Sequence, residues 1–207
     1  MFEENYDFYV PQEKRIKVIL DSDVRNEVDD QFAIMHALMT PKFDVRGVIA
    51  THFGHDRIRE SMEASYDELV KTLEAADLLG KVRIAKGSET AIDPGMTGYF
   101  GDMKPYDNDG VRLIIDEARA LAPGEKLYVG VLGPMTDIAC ALMLAPEITE
   151  KLIIVWKAET STRMVVWSSI WSMISRLRTM SFRLRLKSGR SRRRSTRNRG
   201  AAWRSCS

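Results

Sequence analysis

Five carboxylates lie within ten residues, directly after the first strongly hydrophobic run of the chain. They are Asp21, Asp23, Glu27, Asp29 and Asp30, with Arg25 as the single intervening base. Acids this close repel one another unless a cation lies among them, and Ca²⁺ suits such a cluster because it accepts several oxygen ligands at once. One or two of the acids can instead cap a helix. Five exceed what one cap needs, so the spacing predicts a metal-binding site.

The hydrophobic pattern predicts the elements that must position these acids. Residues 18–20 are typical of a buried parallel strand, and the apolar residues from Phe32 to Leu38 recur at helical spacing. Residues 21–30 are therefore expected in a strand-to-helix loop, at the edge where open α/β sheets bind ligands. His36 is expected to pack beside the apolar residues of this helix.

Strands and helices alternate through the rest of residues 1–156. Strands are predicted at 45–50, 82–85, 126–132 and 151–156, and helices at 59–76, 109–122 and 136–144. This alternation predicts an α/β fold with an open, mostly parallel sheet and flanking helices.

Two motifs resemble those of the inosine–uridine-preferring nucleoside hydrolases. Asp21-Ser-Asp23 after a strand, followed by Asp29-Asp30 at the start of a helix, resembles the aspartate signature of that family. The loop is longer than the usual Pro-Gly form and is similar to a divergent branch that carries Asn-Glu-x-Asp-Asp. Residues 129–142, which contain Gly133-Pro-Met-Thr-Asp137, resemble the strand–Gly-Pro-Leu-Thr-Asn–helix element of the family. The resemblance covers residues 15–156 and implies a nucleoside hydrolase-like fold.

The resemblance also implies a reaction, the hydrolysis of the N-glycosidic bond of a ribonucleoside, with Ca²⁺ as the cofactor. Asp23 matches a metal ligand that is also the general base for the metal-bound water. Asp30 matches a bidentate metal ligand, and Leu132 matches a position whose backbone carbonyl joins the metal. Asp29 matches the acid that contacts the ribose hydroxyls. The supporting residues of the loop are Asp21 and Asn26.

The residues after the second strand depart from the family pattern. The family continues there with a Gly-Asn that helps hold the ribose, whereas this chain has Thr51-His-Phe-Gly-His55. His52 or His55 can replace that substrate contact, although a lone histidine in a loop is more often solvated. We take His52 as the substrate-binding candidate of this segment.

The charge of the chain changes sign near residue 156. Residues 1–156 hold 17 Lys and Arg against 28 Asp and Glu, whereas residues 157–207 hold 14 against one, Glu159. The formal net charge of +2 therefore combines an acidic part with a basic tail. An Arg-rich tail can bind RNA or another polyanion, and its apolar run at 164–174 can form a membrane-surface helix, too short to span a bilayer.

The genetic code favours a third explanation of the tail. Read from the third nucleotide of each codon, residues 167–174 are compatible with Glu-Phe-Asn-Leu-Val-Asn-Asp-Ile. This resembles the substrate motif Glu-Phe-Asn and the following Asn-Asp of the family. We therefore predict a frameshift near Trp156-Lys157, with residues 1–156 as the N-terminal portion of a nucleoside hydrolase-like domain. Residues 157–207 are then an aberrant tail, expected to be disordered or poorly packed, and the chain is expected to have weak or no hydrolase activity.

Two other functions stay open at this stage. A haloacid dehalogenase-like phosphatase also begins with a strand and Asp-x-Asp, and would use Asp21 as the nucleophile, Asp23 as the acid and Mg²⁺ as the cofactor. It leaves Asp29 and Asp30 unexplained. A non-enzymatic RNA-binding protein would rest on the tail alone, which lacks aromatic interleaving.

The expected partners and location follow mainly from the resemblance. The expected partners are a small ribonucleoside and further copies of the chain, in an ancestral homodimer or homotetramer. Neither a membrane nor a nucleic acid is expected as a partner. The acidic N-terminus has no apolar signal core, so the expected location is the cytoplasm.

Overall fold

A computed structural model of the chain describes residues 6–54, 58–92 and 103–156. The strands in these residues are β1 (Ile16–Ser22), β2 (Phe43–Ala50), β3 (Ile84–Lys86), β4 (Leu127–Val131) and β5 (Leu152–Trp156). The helices are α1 (Asp29–Met39), α2 (Ser61–Ala75), α3 (Asp109–Arg119) and α4 (Thr136–Leu144). Short 3₁₀ helices, Gln12–Lys14 and Pro146–Lys151, precede β1 and β5. The predicted alternation of strands and helices is confirmed.

The strands form one sheet in the order β3-β2-β1-β4-β5, and every neighbouring pair is parallel. The chain first adds β2 and β3 on one side of β1 and then places β4 and β5 on the other side. The order therefore reverses between β1 and β4. The carboxyl ends of these two strands mark the topological switch point, which is where open α/β sheets bind their ligands.

Each face of the sheet has its own hydrophobic core, because successive side chains of a strand point to opposite faces. Val18 and Leu20 of β1 pack in a cluster with residues of α1 and α2. Ile19 packs in the other cluster, with residues of α3 and α4. Burial on both faces explains why the strand sequences are continuous apolar runs rather than alternating ones.

Leu113 of α3 lies at the centre of the second cluster and is fully buried. A Cβ atom at Gly47 of β2 would come within 2.8 Å of Leu113 Cδ2, so the glycine leaves room for this side chain. We expect Leu113→Ala to lower the free energy of unfolding by about 3 kcal/mol, measured by urea denaturation. Leu144→Ala, at a position that is 41% exposed, is the matched control. Equal losses in the two variants would contradict this packing.

The boundaries of the acidic segment differ from the prediction. Asp21 and Ser22 belong to β1, and Asp29 and Asp30 already belong to α1, so the loop between them is shorter than expected. The buried residues of α1 are Asp30, Ile34 and Ala37. Phe32 is 71% exposed and His36 is exposed, so the prediction that His36 packs in the core is wrong. Both residues lie on the helix face opposite the buried positions.

Within the described residues, no helix is both long and apolar enough to cross a membrane. Residues 157–207 lie outside the described part of the chain. The frameshift and the division of the chain at residue 156 therefore stay predictions.

Candidate active site

Strand β1 carries the first acids to the switch point. Its last residue, Ser22, faces α1 and donates a hydrogen bond from Oγ to Asp30 Oδ2 at 2.7 Å. The preceding residue, Asp21, points to the opposite face, where the charge of Asp137 in α4 acts on it. Asp23 follows at the open end of the strand. Strand geometry thus sends neighbouring acids to different surroundings.

Helix α1 supplies the other acids from its first turn. Asp29 is exposed, whereas Asp30 is only 3% exposed and continues the buried face formed by Ile34 and Ala37. A carboxylate in the first turn is stabilised by the positive end of the helix dipole. The hydrogen bond from Ser22 and this dipole together orient Asp30 towards the switch point.

Asp23 lies close enough to Asp30 for the two carboxyl groups to interact. Burial and the charge of Asp30 raise the pKa of Asp23 to about 7, against the opposing effect of Asn26. Asn26 donates from Nδ2 to Asp23 Oδ2 at 3.1 Å, and from its backbone N–H to the Asp23 carbonyl at 2.7 Å. A carboxyl group with this pKa exchanges its proton near neutrality, which suits a general base.

Arg25, the base within the acidic segment, points away from these carboxylates. Its guanidinium pairs with Glu68 of α2 at 2.9 Å. Glu68 also accepts a hydrogen bond from Gln31 at 2.6 Å. The arginine therefore anchors the loop to α2 and leaves the repulsion between Asp23 and Asp30 in place.

Asp21 is fully buried, and neither of its carboxylate oxygens has a hydrogen-bond partner in the described part of the chain. Burial raises the pKa of Asp21 well above its usual value, and the charges of Asp137 and Asp23 raise it further. The protonated form is favoured as a result. A nucleophile must reach its substrate, so the burial of Asp21 argues against the phosphatase alternative.

The turn between β4 and α4 lies directly against the acidic loop. Leu132 donates its backbone N–H to the Asp21 carbonyl at 2.8 Å, and its side chain packs in the core with α1 and α2. A Cβ atom at Gly133 would lie 3.0 Å from both the Asp23 nitrogen and Thr51 Cγ2, so glycine permits this close approach. The backbone of Leu132 is thus adjacent to Asp23, as a carbonyl metal ligand at this position requires.

His52 is buried at the side of this site, not solvated. It is 4% exposed, and its Nε2 lies 3.0 Å from Thr136 Oγ1. Gly54 donates its backbone N–H to His52 Nδ1 at 3.3 Å. Both ring nitrogens therefore have protein partners in this structure. The predicted substrate contact of His52 stays a prediction, and His55 lies outside the described residues.

A further buried carboxylate, Asp137, was not assigned a role from the sequence. Its Oδ2 accepts a hydrogen bond from Thr51 Oγ1 at 2.8 Å. Its Oδ1 accepts from the backbone N–H of Ser88 at 2.8 Å, from Ser88 Oγ at 2.7 Å and from Asn108 Nδ2 at 3.3 Å. Asn108 is also the N-cap of α3, and its place before a helical pattern is the one local signal that sequence reasoning could have used.

Few groups at the switch point could hold a metal ion. Nowhere in residues 6–54, 58–92 and 103–156 do three or more His, Cys, Asp or Glu side chains converge in a metal-binding arrangement. The groups that do adjoin are the carboxylates of Asp23 and Asp30 and the backbone of Leu132. All are oxygen donors, which is the chemistry that Ca²⁺ prefers. The charge of Asp30 raises the pKa of Asp23, which is a repulsion that a cation relieves, so these residues fit part of a Ca²⁺ coordination shell.

A surface groove of about 410 Å³ lies elsewhere, between α1 and α2. Phe32, Met35, Glu68 and Lys71 are among its lining residues. It does not border Asp23 or Leu132. We therefore locate the candidate site by its convergent acids at the switch point, since the groove brings no comparable set of groups together.

The fold and the acids define an α/β protein with a polar site at the sheet switch point. A model of the inosine-uridine preferring nucleoside hydrolase family matches residues 18–156. The chain belongs to this family, as its motifs indicated.

Its relatives are distant and longer. Probable uridine nucleosidase 2 from Arabidopsis thaliana is 26% identical in an alignment of 163 residues that covers 67% of this chain and 45% of that protein. The structure of a purine-preferring ribonucleoside hydrolase from Gardnerella vaginalis is 31% identical, with a TM-score of 0.52, over 70% of this chain and 49% of its own. An inosine-guanosine nucleoside hydrolase (23% identity, TM-score 0.52, 71% and 50% coverage) shares the fold. The chain thus spans about half the length of these relatives.

Proposed function

We propose that residues 16–156 carry the metal-binding half of a nucleoside hydrolase site, which cleaves the N-glycosidic bond of ribonucleosides with Ca²⁺. The observation that supports this most strongly is the contact between Asp23 and Asp30 at the end of β1, beside the backbone of Leu132. Two buried carboxyl groups in contact cost stability, and such arrangements cluster at functional sites.

Asp23, Asp30 and the Leu132 carbonyl would hold the cation. When bound, Ca²⁺ would lower the pKa of a water molecule and so supply the nucleophile. Asp23 would accept a proton as the general base, and Asn26 keeps its carboxylate in place. Asp30 would serve as a carboxylate ligand, since Ser22 donates a hydrogen bond to it and the α1 dipole favours negative charge in the first turn.

The exposed Asp29 is the proposed ribose-binding residue. It precedes Asp30 in the first turn of α1 and is exposed, so its carboxylate is open to hydrogen bonds from the ribose hydroxyls. Holding the sugar there places the anomeric carbon near the water that Asp23 activates. Attack then proceeds on an oxocarbenium-like centre, with the base as the leaving group.

The wider biological setting is also proposed from the family. We infer a cytoplasmic enzyme of purine or pyrimidine nucleoside metabolism that assembles as a homodimer or homotetramer. The alternative of polyanion binding rests on residues 157–207, outside the described part of the chain.

Ribose release from inosine and uridine, with Ca²⁺ or with EDTA, tests the proposed activity. Residues 157–207 contain no Asp, so this segment offers no further Asp ligand to complete the metal shell. We expect the 207-residue chain to be at least about 100-fold slower than the product of a gene corrected by one nucleotide after the Trp156 codon. The corrected product should lose its activity in EDTA.

Each outcome of this assay has a distinct meaning. Turnover by the 207-residue chain at about 1–100 per second, a rate ordinary for enzymes, would overturn the frameshift prediction. Absence of ribose release from the corrected product would contradict the proposed reaction itself.

A further inference from the structure

Two side-chain contacts join the residues after β2 to the first two residues of α4. Thr51 Oγ1 donates to Asp137 Oδ2 at 2.8 Å, and His52 Nε2 lies 3.0 Å from Thr136 Oγ1. We name these four residues the α4 clamp. Strand β1 lies between β2 and β4 in the sheet, so the clamp spans the carboxyl end of β1, where the site acids lie.

The direction of the His52 contact follows from its other nitrogen. Because Gly54 donates to Nδ1, that nitrogen accepts through its lone pair and carries no proton. The proton of the neutral ring is therefore assigned to Nε2. His52 Nε2–H therefore donates to Thr136 Oγ1. The ring is only 4% exposed, so this bond is shielded from water and fixes the ring against the start of α4.

The α4 clamp is coupled to the acidic loop through the turn that precedes it. Gly133 in this turn approaches both Asp23 and Thr51 closely. Leu132, one residue earlier, donates its N–H to the Asp21 carbonyl. Fixing Thr136 and Asp137 against the end of β2 therefore also fixes the turn against the loop that carries Asp23.

We propose that Thr136 and Asp137 are positioning residues, which hold the Leu132 carbonyl in place for the metal through the α4 clamp. Neither touches the reacting atoms. The inference rests on the proposed function only for the identity of the bound ligand. The α4 clamp holds the turn with or without metal, so its effect on the turn can be measured in the metal-free 207-residue chain.

Hydrogen exchange measured by NMR on Thr136→Val tests the clamp. The valine keeps the shape of threonine and removes the acceptor of His52. We expect the amides of Leu132 and Asn26, which bond Asp21 and Asp23, to exchange about tenfold faster. The ¹⁵N shifts of His52 should lose the signature of a proton fixed on Nε2. Thr136→Ser, which keeps the hydroxyl, should restore both readouts.

Thr149→Val is the matched control, because Thr149 Oγ1 donates to the Pro146 carbonyl within the 3₁₀ helix that precedes β5, away from the clamp. Unchanged exchange at Leu132 and Asn26 in Thr136→Val, or an equal rise in Thr149→Val, would overturn the proposal. If amide exchange in Thr136→Val is faster throughout the chain, Thr51→Val is the second test. It should speed exchange at the amides of Leu132 and Asn26 and leave the rest of the chain unchanged. A wild-type chain that fails to bind Ca²⁺ would count against the proposed function, whereas the exchange result decides the clamp.

Discussion

Replacing Asp23 by Asn should stabilise the metal-free protein by about 3–4 kcal/mol at pH 8 and change little at pH 4. The pKa of Asp23 is about 7 in the folded protein, against 3.8 for a free side chain. Between these values the folded state binds more protons than the unfolded state. Stability is therefore lost as the pH rises from about 4 to about 7, and it stays lost above that range. The uncharged amide avoids this cost.

Urea denaturation in EDTA at the two pH values measures this effect. Asp109→Asn is the control, because Asp109 lies in the first turn of α3 as Asp30 does in α1, but is exposed. An Asp23→Asn protein whose stability depends on pH as steeply as that of the wild type would contradict the assigned pKa.

Asp137→Ala should have the opposite effect, a loss of about 3–5 kcal/mol in the free energy of unfolding. The carboxylate of Asp137 is fully buried and accepts hydrogen bonds from Thr51, Ser88 and Asn108. Alanine would remove the acceptor of the Thr51 hydroxyl and of the Ser88 N–H and hydroxyl, whereas Asn108 Nδ2 would keep its bond to Ser88 Oγ at 3.2 Å. Each unsatisfied group costs about 1–3 kcal/mol.

Asp137→Asn is the graded comparison for this prediction. Its amide oxygen can still accept on one side, but its NH₂ group would face donors on the other, so the expected loss is intermediate. Thermal and urea unfolding of both variants provide the measurement. A loss below about 1 kcal/mol for Asp137→Ala would show that the buried donors find other partners.

The opposite expected effects of Asp23→Asn and Asp137→Ala on the free energy of unfolding distinguish two kinds of buried acid at one edge of the sheet. Asp137 is surrounded by donors, and its hydrogen bonds tie together the ends of β2, β3 and α3. Asp23 contacts another carboxyl group, and this contact opposes folding in the absence of a cation. Local arrangements that weaken a fold are characteristic of functional sites. We therefore assign a catalytic role to Asp23 and a structural role to Asp137.

Much of the fold could be predicted from local sequence pattern. The strands that are buried on both faces appear as apolar runs, and helix α4 has the predicted bounds, Thr136–Leu144. The acids were expected at the carboxyl edge of β1 because they follow a buried strand, and the structure places Asp23 and Asp30 in contact there. Local pattern and family motifs agree in this part of the chain.

The α4 clamp could not be predicted in this way. Thr51 and Asp137 are 86 positions apart, and His52 and Thr136 are 84 apart, so only the order of strands in the sheet brings them together. The outward faces of His36 and Phe32 were missed for a local reason. An apolar set at 32–38 is compatible with more than one helix face, and the buried face also includes the polar Asp30.

Calorimetric titration of the purified 207-residue chain with Ca²⁺ tests directly whether this edge of the sheet binds a metal. We expect one Ca²⁺ per chain, with a Kd on the order of 10⁻⁴ M because the shell is incomplete. Asp30→Asn should weaken binding by at least about tenfold, whereas Asp109→Asn should bind as the wild type does. No binding by the wild type, or equal binding by Asp30→Asn, would contradict the assignment of Asp23, Asp30 and Leu132 to a metal site.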